Sequence, residues 1–202
     1  MDEGGKEMNE LENQNSLITA EANKILYEKG LWTMLSKYGK PAPTGSYALG
    51  LMVWRDLDIY LESDEMTRSR FFQLGAEIAS ALNPQRMHYR NEFLGKTPGL
   101  PVGFYWGIYV SGLVSPEEWK IDLWAMDSKQ REEFKKADDA LKAQIDDKNR
   151  LIILEIKSHF YTHPEYRRKF SGLDIYQAVI KNDIKSVAEF AGWLERNKGI
   201  SS

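Results

Sequence analysis

Gly45-Ser46-Tyr47-Ala48-Leu49-Gly50 and, beyond the link Leu51-Met52-Val53-Trp54-Arg55, Asp56-Leu57-Asp58-Ile59-Tyr60-Leu61 decide how this chain is read. Side chains alternate faces along a strand, so Asp56 and Asp58 point one way while Leu57, Ile59 and Leu61 point the other. Two carboxylates fixed side by side at a sheet surface repel each other unless positive charge sits between them. Magnesium suits that position, because it takes hard oxygen ligands from one or two carboxylates and completes its shell with phosphates and water. Gly45 lets backbone approach a ligand closely. Ser46, at a turn entering a helix, offers an N–H and a hydroxyl to a phosphate. The stretch reads as a site for a metal and a triphosphate.

Outward from it, apolar residues recur at helical spacing over residues 16–38, with a break at Gly30. Pro41-Ala42-Pro43 stops that helix, and a short strand leads into Gly45. Ser63-Asp64 can cap a helix over residues 67–82, which Asn83-Pro84 ends. Residues 86–93, 102–110 and 119–125 read as strands. In the first, Arg86, His88 and Arg90 share a face and are candidates to contact nucleotide or acceptor. In the last, Lys120, Asp122 and Trp124 share one face, and Ile121, Leu123 and Ala125 the other. Lys120 offers Asp122 a pairing partner, and Trp124 is a candidate platform for a base.

From residue 129 the pattern is helical, over 129–148, 150–161, 173–181 and 184–197, with Ser171-Gly172-Leu173-Asp174 in the form of a capping box. Strands first and helices later define an α+β fold: a mixed β-sheet flanked by helices, followed by a C-terminal helical region. The expected division is a flexible tail at 1–15, a sheet domain at 16–128 and the helical region at 129–202. His159 and His163 have the spacing of a zinc-binding pair. Pro164 and the want of a third ligand favour helix capping instead. Arg167-Arg168-Lys169 reads as a solvated turn.

Composition narrows the function. The absence of cysteine excludes disulfides, thiolate metal sites and cysteine nucleophiles. A net charge of −3 disfavours a nucleic-acid partner, whose binding surface is normally basic. No apolar run reaches the roughly 18 residues of a membrane helix, and the polar start has no signal-peptide core. A cytoplasmic location without a membrane partner is expected. Oligomeric state is not legible.

A D-x-D alone says little in a chain with 30 acidic residues, and Asp138-Asp139 and Asp146-Asp147 read as solvated helix faces. Gly-Ser, then D-x-D in a strand, then Asp122 on a later strand says more. This pattern resembles the nucleotidyltransferase superfamily of the DNA polymerase beta type. Ala48 and Gly50 extend the match to the G-S-x-A-x-G opening of its small bacterial members. The resemblance covers about residues 43–126. Two departures are Arg55, where a small polar residue is common, and the apolar link before it.

The resemblance implies a nucleotidyltransferase-like sheet and a division of labour among its residues. Asp56 and Asp58 would hold one or two magnesium ions on the triphosphate, and Gly45 and Ser46 would grip the outer phosphates. Asp122 would bind the second metal and orient or deprotonate the attacking hydroxyl. Arg55, a departure from the family pattern, is expected to neutralise phosphate charge rather than to pair with Asp56 and displace metal. Such transfer depends on in-line positioning and charge neutralisation rather than covalent catalysis. The implied activity moves a nucleoside monophosphate from an NTP, with ATP the expected donor, to a small-molecule hydroxyl, releasing pyrophosphate. An acidic surface suits a cationic, aminoglycoside-like acceptor. The alternatives are a protein hydroxyl as acceptor, or a nucleotide-binding or protein-interaction module without turnover.

Overall fold

Alternation in residues 56–62 is realised in a five-stranded mixed sheet of order β1-β2-β5-β4-β3. The computed structural model describes residues 3–201. Its elements are α1 (Glu3–Asn23), a π-helical turn (Lys24–Glu28), α2 (Leu31–Ser36), β1 (Lys40–Pro43), α3 (Gly45–Leu49), β2 (Asp56–Glu62), α4 (Arg68–Leu82), β3 (Arg86–Asn91), α5 (Glu92–Gly95), β4 (Phe104–Ser111), β5 (Glu118–Met126), α6 (Ser128–Lys142), α7 (Asp147–Phe160), α8 (Gly172–Asn182) and α9 (Val187–Lys198). The α+β class is therefore as read from the sequence. None of the described helices is long and apolar enough to cross a membrane.

Contacts divide the chain into two units at places the sequence did not mark. The sheet unit is Thr19–Leu49 with Arg55–Asp139, and the helical unit takes the described residues up to Ile18, Gly50–Trp54 and Ala140 onward. The expected boundary at 128/129 thus falls later, near the end of α6.

In the sheet unit, β2 and β5 run parallel, and the other neighbouring strands are antiparallel. One sheet face is apolar. Leu57, Ile59, Leu61, Ile121, Leu123, Trp106 and Ile108 are buried on it, together with Phe71, Leu74 and Ile78 of α4. Burial of each such side chain contributes about 1.5–3 kcal/mol. Trp106 fixes the helix against the sheet: its Nε1 donates to the Phe71 carbonyl at 3.1 Å, and its ring lies where a Cβ on Gly75 would be. The residue before α4, Thr67, caps it by accepting from the Arg70 N–H at 3.2 Å. The cap is therefore not the expected Ser63-Asp64 pair.

In the helical unit the Phe160 ring meets Phe170 and Phe190 edge to face, and Phe170 and Phe190 lie tilted to one another. The Ser171–Asp174 capping box forms, with the Asp174 carboxylate accepting from the Ser171 N–H at 2.8 Å. The apolar link that looked anomalous in the sequence belongs to this unit. Leu51, Met52 and Val53 are buried, and three successive carbonyls each accept a side-chain donor. Lys157 Nζ reaches Leu51 O at 2.6 Å, Asn15 Nδ2 reaches Met52 O at 3.0 Å, and Gln14 Nε2 reaches Val53 O at 3.0 Å. A buried loop without strand partners must satisfy its backbone this way. The segment expected as a tail is helical from Glu3 onward, and the same bonds hold it at Gln14 and Asn15.

Truncating Asn15 leaves the buried Met52 carbonyl without its side-chain donor. Asn15→Ala is expected to cost about 1–3 kcal/mol, read as a lower urea midpoint at unchanged slope. Ser36→Ala, which removes an exposed bond to Trp32 O, should stay within about 0.5 kcal/mol.

Candidate functional site

The second sheet face carries the chemistry, and cross-strand register arranges it in rows. Asp58, Asp122, Gly107 and His88 are successive partners across β2, β5, β4 and β3. Asp56, Lys120, Tyr109 and Arg86 form the row on one side, and Tyr60, Trp124, Tyr105 and Arg90 the row on the other. The sequence-derived carboxylates Asp56, Asp58 and Asp122 thus occupy one face of two adjacent strands. Directly paired residues on neighbouring strands sit about 4.8 Å apart, so Asp58 and Asp122 are immediate neighbours.

Lys120 sits within this carboxylate group. Its Nζ lies 3.2 Å from Asp56 Oδ1 and also donates to Asp122 Oδ2. The side chains are 7% exposed for Lys120, 17% for Asp56 and 16% for Asp122. The other oxygen of Asp122, Oδ1, accepts from the Tyr105 hydroxyl at 2.8 Å. Burial first, and Asp122 second, push the Tyr105 phenol well above its ordinary pKa, which keeps it a donor. Gly107 makes this possible: a Cβ there would stand 2.5 Å from both Tyr105 Oη and His88 Cε1.

Gly45 and Ser46 open α3 beside the middle carboxylate. Gly45 has φ +59°, and a Cβ on it would meet Asp58 Oδ2 at 2.5 Å. A hydrogen bond from Thr44 N to Asp58 O at 2.9 Å fixes the turn to β2. Thr44 in turn donates its hydroxyl to Asp138 of α6 at 2.7 Å.

Two expected contributors are placed elsewhere. Arg55 points away from Asp56, and its Nε and Nη2 bind Glu21 at 2.7 and 2.9 Å. Ser115 and Trp119 also donate to Glu21. Arg55 therefore forms a partly buried ion pair with Glu21 rather than facing a phosphate. Trp124 shares the Asp122 face but is 8% exposed, packed with Tyr105, Met126 and Phe134 of α6. Its ring is core, not an open platform for a base.

Arg86, His88 and Arg90 do share an exposed face of the edge strand β3. Arg86 stacks 3.8 Å over Tyr109, and Arg90 pairs with Glu92 at 2.6 Å. In the helical unit, His163 Nδ1 accepts from the Glu165 N–H at 3.1 Å, and Arg167 lies 4.8 Å over the Trp54 ring.

Oxygen-only donors on adjacent strands suit a hard divalent cation such as magnesium. Among the described residues, however, no three acidic or imidazole side chains form a ready-made ion cage. The positive charge between Asp56 and Asp122 is the Lys120 ammonium. Sequence reading saw that Lys120 and Asp122 share a face, and missed the second carboxylate across the strand. Tyr105 gave no sequence signal beyond an aromatic strand. No protein-family model matches this chain, and no curated protein matches it significantly.

The Glu21–Arg55 pair has a pH signature. Hydrogen bonding from Arg55 is the main cause that holds the Glu21 carboxyl below its ordinary value of 4.5. A depressed carboxylate pKa contributes stability that is present above the unfolded-state value and lost as pH falls through the folded one. Glu21→Gln is expected to cost about 1.5–3 kcal/mol at pH 7. In urea titrations the gap from wild type should close as pH drops below 4.5.

Proposed function

We propose that the protein is a magnesium-dependent nucleotidyltransferase with the superfamily's sheet fold, using ATP and a small-molecule hydroxyl. The observation that carries the reading is the convergence of Asp56, Asp58 and Asp122 on one sheet face, with the Gly45-Ser46 turn against Asp58. In this reading Asp56, Asp58 and Asp122 hold magnesium, which supplies charge neutralisation for the triphosphate and the departing pyrophosphate.

Gly45 and Ser46 bind the outer phosphates. The acceptor oxygen attacks the α-phosphorus, an O–P bond forms, and the bond to the β-phosphate oxygen breaks with its electron pair leaving on pyrophosphate. Asp122 orients the hydroxyl and takes its proton, and the Tyr105 hydrogen bond fixes that carboxylate. Arg55, bound to Glu21, has no part in phosphate binding. A cationic, aminoglycoside-like acceptor remains the proposed partner class.

One observation favours a second reading, a nucleotide-binding module without turnover: Lys120 holds two of the three carboxylates. Label transfer from [α-32P]ATP with magnesium to a panel of aminoglycosides, lincosamides and bacterial proteins separates the two. Transfer reduced by about 100-fold or more in Asp58→Asn is expected. ATP binding with no transfer to any acceptor would favour the module. Saturating ATP and magnesium, at about 100 times the dissociation constant, should add about 2.7 kcal/mol to stability. No thermal shift would sink both readings.

A further inference from the structure

We propose that Lys120 is a built-in counter-cation that competes with the divalent metal for Asp56 and Asp122 and is displaced when metal loads. The inference rests on the reading of these carboxylates as metal ligands. Register puts Lys120 directly beside Asp56 and one same-face position from Asp122, so its ammonium reaches both without leaving the sheet surface. Asp56 and Asp122 share one ammonium, and two carboxylates so placed are costly to hold together without compensating charge. An ammonium provides that charge, but it carries one unit where a divalent ion carries two. The carboxylates therefore favour the ion once it is abundant or arrives with a triphosphate.

Geometry adds a directional constraint. Tyr105 already occupies Asp122 Oδ1, so Lys120 holds the remaining oxygen, Oδ2. A metal that binds Asp122 through Oδ2, leaving the phenol on Oδ1, takes the oxygen that Lys120 now binds. Metal and ammonium are thus alternative occupants of one place. A flexible four-carbon stem lets the ammonium leave without moving β5, and the nearest incoming negative charge is the nucleotide's triphosphate. Lys120 would then link the two loading events, weakening metal binding by the empty protein and strengthening it when nucleotide is present.

The test measures binding of Mn2+ alone, by the electron-spin signal of the free ion, to the full chain and to Lys120→Gln. Removal of the competing charge is expected to tighten Mn2+ binding about ten-fold, the low end of what one adjacent charge does to an ionic equilibrium. Lys120→Arg, which keeps the charge, should bind Mn2+ as weakly as wild type. Unchanged or weaker binding in a folded Lys120→Gln protein overturns the proposal.

A second measurement needs no variant: amine-reactive labelling of wild type, followed by mass spectrometry at Lys120. Labelling should rise several-fold on adding Mn2+ with a nonhydrolysable ATP analogue. Constant labelling under conditions where Mn2+ is bound overturns the proposal as well. The outcomes separate from those of the transferase reading. Tighter Mn2+ binding without any nucleotidyl transfer leaves the competition standing and removes the enzyme, whereas transfer with unaltered Mn2+ affinity does the reverse.

Discussion

Seven consecutive parallel pairs between β2 and β5, from Asp56↔Lys120 to Glu62↔Met126, are the constraint on which the site depends. The two strands are far apart in sequence, and only their register decides which side chains become neighbours. A slip of one residue would turn Asp56 and Asp58 toward α4 and bring Leu57 and Ile59 to the open face. The burial of Leu57, Ile59, Ile121 and Leu123 makes that slip prohibitive. Hydrophobic packing on one face thus holds the carboxylates in place on the other.

The polar face is also built by what is missing from it. With no side chain at Gly107, the Tyr105 hydroxyl can reach across to Asp122 while the His88 ring lies alongside. The link into β2 shows the same economy of backbone. Leu51, Met52 and Val53 bury their side chains, and their carbonyls are bound by Lys157, Asn15 and Gln14.

Much of this was legible from alternation and turn chemistry. The aspartate strand, the faces of β3 and β5 and the capping box at Ser171 follow from local sequence rules, and the α+β order follows from their succession. What failed was what depends on distant residues. Arg55 looked like a phosphate ligand because it adjoins Asp56, yet it binds Glu21, which no local spacing announces. Trp124 had the right phase, but Phe134 and Tyr105 cover it. Lys120 was visible beside Asp122, and its second partner was set by cross-strand register. The N-terminal segment was too polar to read as packed, because it is held through Gln14 and Asn15 rather than through an apolar stripe.

Gly45 couples two features that are usually treated separately. Its positive φ and its closeness to Asp58 Oδ2 mean that any β-carbon there must displace an aspartate before it disturbs anything bound at the turn. A mutational scan would score such a substitution as a damaged anion grip, although the first atom to shift belongs to the neighbouring strand. The turn and the acid beneath it are one mechanical part.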